Sequence, residues 1–570
     1  MTAATVAPSW STEVPDWKDR ILNRRKMVPD LPLFKPVAEK ALRVFKRLRI
    51  PDIHGTPTFG EVSEQWVFDL VSAVFGAYDP ETRRRMIREI FLLIPKKNTK
   101  TTIAAGIVLT AMILNERPKA EALLVAPTKE VANLAFSQMD GMIHLDPDLV
   151  KIFKVRDHIK TIEDLREASL GKIEIKAADT DVVTGAKATY VLIDETHVFA
   201  QKSRAAEVFT EIRGALASRT DGFLMQITTQ SKRPPAGVFK AELERARAVR
   251  DGVLKLPLLA VLYELPVEVS KDGGWKDPET WPLVNPNLGV SVDGQFLTDQ
   301  LIAAESEGPE AMALLASQHF NVQVGLSLSA DRWPGAEFWQ SCGDESLTLD
   351  ELMTRAEVCV VGVDGGGLDD LFALAVLGRD RETRDWLHWA HVWAQPEVFD
   401  RRKDIGPQLR DFEKAGDLTV CDYVGQDVAG AVDIIEQLEA AGLLPVSSPA
   451  IGLDAYGIAE LLDELEERGF DDSRFVSIGQ GWKLQQAILT MPRRLKDRRF
   501  VHGASAMMAW NVGNAKTELK GSNYIVTKQT AGTAKIDALM ATFNASMLMF
   551  GNPEAAGNLD DFLADPVMVI

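Results

Sequence analysis

The chain has 570 residues, 46% of them hydrophobic and 26% charged, with 64 Lys and Arg against 82 Asp and Glu for a net charge of −18. That length exceeds what one hydrophobic core organises, so two large domains with connecting pieces are expected, and the acidic balance argues against a chain that holds nucleic acid by a general positive coat. Three cysteines (Cys342, Cys359, Cys421) without a CxxC pair argue against a disulfide framework or zinc knuckle, and the longest apolar helical run, 103–114, falls short of the roughly 20 residues of a membrane span.

Residues 1–54 read as an N-terminal arm without a signal pattern, then a basic amphipathic helix over 37–49 broken by Pro51. Between 55 and 255 short apolar strands alternate with helices: strand 91–94, helix 101–114, strand 122–127, helix 129–141, then strands 190–193 and 223–228. This alternation predicts a parallel sheet covered on both faces. The first strand runs into Ile94-Pro95-Lys96-Lys97-Asn98-Thr99-Lys100-Thr101-Thr102. A phosphate loop reads GxxxxGK[ST], its backbone N–H groups wrapping the phosphates, its Lys bridging them and its hydroxyl facing Mg²⁺. Lys100 and Thr101 stand in the right place, while Ile94 and Thr99 replace both glycines. A later strand ends in Asp194-Glu195, where Asp194 can hold Mg²⁺ and Glu195 can polarise the attacking water. Thr228-Thr229-Gln230 follows the next strand, at the sheet end where open α/β sheets bind ligands. Arg213 and Arg219 are both candidates for a transition-state arginine, and both are equally readable as surface charges. The basic runs Arg83-Arg84-Arg85 and 493–499 read either as nucleic-acid patches or as solvated faces.

Residues 256–350, rich in Pro, Trp and Gly around Trp275, Trp281-Pro282, Asn285-Pro286-Asn287 and Trp333-Pro334, read as a lid or linker. A second domain over 351–552 opens on an antiparallel meander (357–364, 371–377, 386–393), with helices over 405–415, 429–441, 458–468 and 483–494. The acidic tail, 553–570, reads as flexible. Asp364 and Asp454 each end an apolar strand, and Asp537 opens an apolar helix. A carboxylate facing inward at such places needs a partner or a metal, and three of them can converge on two Mg²⁺ or Mn²⁺ ions that cleave a phosphodiester. Each alone also reads as a turn or capping aspartate, Asp537 as a helix N-terminal acid.

On these residues the chain resembles the large terminase subunit of tailed bacteriophages, over roughly 55–550. Lys96-Lys97-Asn98-Thr99-Lys100-Thr101 is similar to that family's R-K-N-G-K-[ST] string, with Lys for Arg and Thr for Gly. Thr228-Thr229 matches its coupling element and Gln65 its adenine-contacting glutamine. Gly362-Val363-Asp364 with Asp370-Leu371, Gln480-Gly481, His502-Gly503 with Trp510, and Lys535-Ile536-Asp537-Ala538 match its nuclease, with Gly365-Gly366-Gly367 where Leu-Ser is commoner.

The resemblance implies a P-loop, RecA/ASCE-like parallel-sheet ATPase followed by a ribonuclease H-like nuclease. ATP would lie against Gln65, Lys96, Lys97, Asn98, Thr99, Lys100, Thr101, Thr102 and Asp194, with Lys96 and Glu195 catalytic. One Mg²⁺ (or Mn²⁺) would sit at Thr101 and Asp194, and two at Asp364, Asp454 and Asp537, with Asp370 an added ligand and His502 a structural hydrogen-bonder. It further implies ATP-driven translocation of double-stranded DNA into a prohead and endonucleolytic cleavage of concatemers. The implied partners are the portal protein, a small terminase subunit and further copies in a homo-oligomeric ring, a pentamer, in the host cytoplasm and away from membranes. A helicase-nuclease of repair or defence is the rival, but 256–350 lacks the second RecA-like domain with arginine motifs that it would carry. A scaffold with decayed sites fits poorly with an intact Asp194-Glu195 and three nuclease acids.

Overall fold

The computed structural model describes residues 10–177, 188–201, 205–232, 234–323, 332–366, 370–402, 405–454, 459–521, 523–528 and 535–555. Residues 556–570 of the expected flexible tail, and Gly367, lie outside the described residues. The chain divides into two compact units, Met1–Val324 and Gly325–Ile570.

Unit 1 is built on β1 (Glu89–Leu93), β2 (Glu121–Ala126), β3 (Phe153–Arg156), β4 (Thr161–Asp164), β5 (Lys172–Ala177), β6 (Ala188–Asp194), β7 (Phe223–Thr228) and β8 (Leu258–Leu262). Their order is β8-β1-β7-β6-β2-β5-β4-β3, parallel from β8 to β5 and antiparallel through β4 and β3. Every residue of β6 and β7 is buried, because helices cover both faces and a strand without a wet face has no alternation to show. The antiparallel extension escapes the sequence pattern, since β3 and β4 are short, half-polar segments such as Phe-Lys-Val-Arg. The sheet also runs past residue 255. The apolar run of β8 is wholly buried and pairs with β1, although the sequence reads it as the start of a lid.

Around this sheet lie α1 (Lys35–Arg47), α2 (Gln65–Gly76), α3 (Lys100–Ile113), α4 (Lys129–His144), α5 (Ala205–Ala217), α6 (Gly237–Arg250), α7 (Gly294–Glu307) and α8 (Pro309–Phe320). The expected N-terminal arm is part of the core. Phe45 of α1 and Phe59 pack with ring centroids 4.4 Å apart at a 30° tilt and rest on Gly106 of α3, where a Cβ would come within 2.9 Å and 3.0 Å of the two rings. The last two helices occupy a stretch that composition alone reads as irregular. Pro and Trp cluster before them, and Asp293 caps α7 through its side chain.

Unit 2 opens on β9 (Ala356–Gly365), β10 (Leu371–Asp380) and β11 (Trp386–Ala394), the antiparallel meander the sequence predicts. Then come β12 (Leu418–Val420), β13 (Ile451–Asp454), β14 (Phe475–Ile478) and β15 (Phe500–His502). The order is β12-β11-β10-β9-β13-β14, with β15 also on β11, and all four later strands pair in parallel. The helices include α9 (Gln485–Lys496) and α10 (Asp537–Phe550), and a hairpin joins β16 (Ala515–Lys520) to β17 (Asn523–Lys528).

Helix α10 lies against β9 at glycine distance. A Cβ on Gly362 would stand 2.0 Å from the Ala541 carbonyl oxygen and 2.4 Å from the Ala545 nitrogen. Both obstacles are backbone, so no side-chain rotation relieves them. Gly362→Ala is therefore expected to destabilise unit 2 by about 3 kcal/mol or more, the upper end of overpacking costs. Gly416→Ala, at φ +81° with nothing within 4 Å, should cost only about 1 kcal/mol. Chemical denaturation followed by tryptophan fluorescence separates the two, and equal losses would contradict the contact argument.

Candidate functional site

In unit 1 the ends of three neighbouring strands bring the site together. β7 lies between β1 and β6, pairing Leu93 with Thr228 and Asp194 with Ile227. The loop after β1, the Asp194-Glu195 pair after β6 and Thr228 after β7 therefore share one edge of the sheet. The loop leads into α3, whose N-terminal turn offers unpaired N–H groups and a positive dipole end to an anion. Lys97 at φ +71° and Thr99 at φ +57° turn left-handed to make the bend.

Lys100, largely buried, reaches Glu195 with Nζ 2.8 Å from Oε1. Thr101 donates its hydroxyl to Asp194 Oδ2 at 2.9 Å, the hydroxyl–carboxylate pair that P-loop ATPases turn toward Mg²⁺. Burial and the neighbouring Glu195 charge raise Asp194 above the ordinary carboxylate range. Burial alone would raise Glu195 too, but His197 and the Lys100 ammonium hold it down, at about 2. The site thus keeps one carboxylate firmly ionised beside another that holds a proton more readily. Lys96 donates to Gln318 Oε1 at 2.8 Å; burial and the Lys100 and Lys97 charges hold it below the usual lysine value against the pull of Glu195.

Three further groups escape the sequence reading. His197 Nδ1 stands 3.1 Å from Glu195 Oε2 and 3.1 Å from Thr228 Oγ1. The Thr228 hydroxyl gives its own proton to the Thr229 carbonyl, so it meets His197 as an acceptor. One imidazole therefore joins the acidic pair to the threonines after β7, and only its place two residues after Glu195 hinted at it. Asn285 and Asn287, from the segment read as a lid, contact Asn98 and Thr99 directly. Thr102 is buried on α3. Gln65 is exposed at the start of α2 and donates to Asp69.

The arginine candidates are at the other end of the sheet. Arg213 pairs with Glu89 at 3.1 Å and with Glu242 at 2.6 Å. Glu89 opens β1, whereas the phosphate loop follows the far end of that strand. The Arg219 carbonyl accepts from Arg88, at the same end. Arg213 is thus held by two carboxylates within its own unit. Of the basic run 83–85, Arg85 is buried and donates to the carbonyls of Val74 and Asp221.

In unit 2, Asp364 near the end of β9 and Asp454 at the end of β13 lie on adjacent parallel strands, in register through Val363 and Leu453. Asp537 begins α10, and a Cβ on Gly365 would come within 3.6 Å of its Cβ. Burial raises Asp364 well above the ordinary value, and the charges of Asp537 and Asp454 add to it. Burial likewise raises Asp537, with Asp370 adding to it.

Asp370, by contrast, falls below the ordinary value: burial would raise it, but Lys535 and Lys528 overcome that. Lys528 stands 3.9 Å from both Asp370 and Asp537. His502 accepts the structural role expected of it, stacked on Trp339 at 4.1 Å with Nε2 2.8 Å from the Trp339 carbonyl. Gln480, from the Gln-Gly string, donates to Asn544, which in turn donates to the Val363 carbonyl beside Asp364.

Among the described residues no group of three or more His, Cys, Asp and Glu is gathered closely enough to hold a metal ion. The fit to a divalent cation rests instead on charge and unmet bonding. Asp364 feels the charges of Asp537 and Asp454, and the atoms Asp454 Oδ1 and Asp537 Oδ2 are buried without a hydrogen-bond partner among the described residues. Hard oxygen donors of this kind suit Mg²⁺ or Mn²⁺.

A family profile for the terminase large subunit endonuclease domain matches residues 262–551, about half of the chain, and one for the terminase large subunit ATPase domain matches 65–245. The chain belongs to the terminase large subunit family. It is 25% identical over 368 residues to protein YmfN of Escherichia coli K12, covering 62% of this chain and 76% of that protein. It is 20% identical over 488 residues to the terminase large subunit of Lactococcus phage p2, covering 84% and 85%. The crystal structure of the HK97 bacteriophage large terminase matches with a TM-score of 0.44 and 21% identity, over 89% of this chain and 98% of that one.

This terminase is an α/β protein, a P-loop ATPase joined to a ribonuclease H-like endonuclease, that packages DNA by ATP hydrolysis and cuts concatemers. Family membership decides against the helicase-nuclease reading. The nuclease profile begins at Leu262, inside unit 1, so the segment up to Val324 goes with the nuclease by family and with the ATPase by packing. Among the described residues no helix is long and apolar enough to cross a membrane.

The raised acids predict a pH signature in chelator. A carboxylate whose folded pKa lies above its unfolded value stabilises the fold below the ordinary range, and that stability is lost as pH rises through the raised value. Without divalent ions, unit 2 should therefore lose stability from about pH 4 upward through neutrality. Asp364→Asn should flatten that loss, melting a few degrees higher than wild type at pH 8 in chelator, and Mg²⁺ should raise the melting temperature of the wild type only. Thermal melts at pH 5 and pH 8 check it; an unchanged pH profile in the variant would contradict the assignment.

Proposed function

We propose that the terminase hydrolyses ATP at the loop 96–102 and cuts DNA at Asp364, Asp454 and Asp537. The observation that carries the first part is the Lys100–Glu195 contact at 2.8 Å beside the Thr101–Asp194 bond. When ATP binds, its phosphates compete for Lys100. As Lys100 turns to them, Glu195 loses one of the two groups that hold its pKa down, and burial then makes it a better acceptor for the proton of the attacking water. Asp194 and Thr101 would hold the single Mg²⁺ of this site, Lys96 would support the outer phosphates and Gln65 would meet the adenine. His197 would carry the state of Glu195 to Thr228.

At the second site, Asp364, Asp454 and Asp537 would hold two Mg²⁺ or Mn²⁺ ions, with Asp370 as a weaker donor already engaged by Lys535. Bound there, the ions supply an activated water and neutralise charge on the phosphodiester. Asn544 and Gln480 orient the strand end that presents Asp364.

The work of packaging requires a prohead portal, a small subunit to select DNA, and several copies firing in turn as a ring, a pentamer, in the host cytoplasm. The net charge of −18 opposes association of free copies in solution, so a template has to bring them together.

Two sets of variants test the division of labour. Lys100→Ala and Glu195→Gln should each lower ATP turnover at least about a hundredfold, with plasmid cleavage kept, and Glu195→Gln should still bind nucleotide. Asp364→Asn, Asp454→Asn and Asp537→Asn should each lose cleavage in Mg²⁺ and Mn²⁺ with ATPase kept, and Asp370→Asn should be milder. Wild-type turnover in Glu195→Gln, or wild-type cutting in Asp454→Asn, would sink the corresponding assignment.

A further inference from the structure

We infer that Asn285 and Asn287 are positioning residues for the nucleotide, holding from outside the loop the backbone shape that the missing glycines would otherwise permit. The inference rests on reading 96–102 as the phosphate loop. Lys97 and Thr99 both sit at left-handed φ within three residues, a conformation that disfavours any residue with a Cβ. A relaxed loop would let both return to negative φ and turn its N–H groups away from a bound phosphate.

What holds them is a closed set of hydrogen bonds centred on buried Asn98. Its side-chain amide donates to Asn285 Oδ1 at 2.8 Å, and its side-chain oxygen accepts from the Asn287 backbone N–H at 3.1 Å. The Asn287 amide donates to the Asn98 carbonyl and to Thr99 Oγ1, both at 3.2 Å, so it grips the left-handed residue itself. Ser291 donates to the Lys97 carbonyl at 2.7 Å, fixing the other left-handed residue.

The clip is anchored in its turn. Trp66 Nε1 donates to Asn287 Oδ1 at 2.8 Å, and Asn285 donates to the His319 carbonyl at 3.0 Å. Each amide end of Asn287 thus has a partner that fixes its orientation, and the buried network has no slack in which the loop could relax. Nucleotide affinity is therefore set jointly by the loop and by a segment almost two hundred residues downstream. Because the loop grips phosphate before and during reaction, loss of the clip should raise KM and leave kcat nearly unchanged.

The test is a rescue experiment on the full-length chain, reading KM and kcat for ATP and the Kd for ADP by calorimetry. Asn287→Ala should raise KM and Kd about tenfold with kcat within about threefold of wild type. Thr99→Gly is measured alone as the reference for the double variant. In the Asn287→Ala background it should bring KM back to within about threefold of wild type, since glycine adopts positive φ without the clip.

Trp66→Phe removes the N–H that orients Asn287 together with one ring of the indole, and should show a smaller KM increase, also rescued by Thr99→Gly; it stands in if Asn287→Ala fails to fold. An unchanged KM in Asn287→Ala, or a raised KM that Thr99→Gly does not correct, overturns the inference. Lys100→Ala separates the two levels of the argument. If it still binds and turns over ATP, the phosphate-loop reading itself is wrong; if it fails while Asn287→Ala is silent, only the clip is wrong.

Discussion

Lys100 and Glu195 face each other at 2.8 Å, both largely buried, and neither charge is affordable there without the other. That requirement governs the ATPase unit. It fixes β1 and β6 as the strands whose ends must meet across β7, and it demands a loop that delivers Lys100 to the sheet edge. In the proposed reaction the same pair would be responsive, because an arriving phosphate would offer Lys100 a stronger partner and leave Glu195 to the water. His197, touching both Glu195 and Thr228, would extend that change to the neighbouring strand end.

The second unit reaches a similar concentration of charge by a different route. Its acids come from two parallel strand ends and a helix, and α10, which carries Asp537, lies against β9 with no side chain between them at Gly362. Like charges brought together by packing raise one another's pKa, and the lysines 528 and 535 compensate them unevenly: Asp370 is lowered while Asp364 and Asp537 are raised. The fold thus leaves Asp364 and Asp537 short of compensating positive charge, the electrostatic condition on which the proposed cation site would draw.

Arginines in unit 1 do quieter work. Arg213 and Arg245 converge on Glu89 at the start of β1, and Arg247 and Arg250 on buried Glu264 just after β8. The first network ties helices α5 and α6 to the sheet end where β1 begins, and the second ties the end of α6 to the segment that follows β8. An arginine in a plausible sequence position can be fully committed to holding the scaffold, and its partners, not its neighbours in sequence, decide which role it has.

Much of the protein was legible in the chain alone. Apolar strands alternating with helices gave the parallel sheet, Lys100-Thr101 and Asp194-Glu195 marked the place proposed for ATP, and Asp364, Asp454 and Asp537 stood out because an acid closing or opening an apolar element is costly unless it is used. These are local signals, carried by period and by residue type, so no tertiary knowledge was needed to see them. What the tertiary structure alone decided depends on contacts between residues far apart in sequence: the antiparallel strands β3 and β4, the inclusion of β8 and α1 in the first core, the commitment of Arg213 to Glu89 and Glu242, and the grip of Asn285 and Asn287 on Asn98 and Thr99. A hydrogen bond between Asn287 and Thr99 leaves no trace in the spacing or hydropathy of either segment, and a turn written as Asn-Pro-Asn looks the same whether it faces solvent or clasps a phosphate loop.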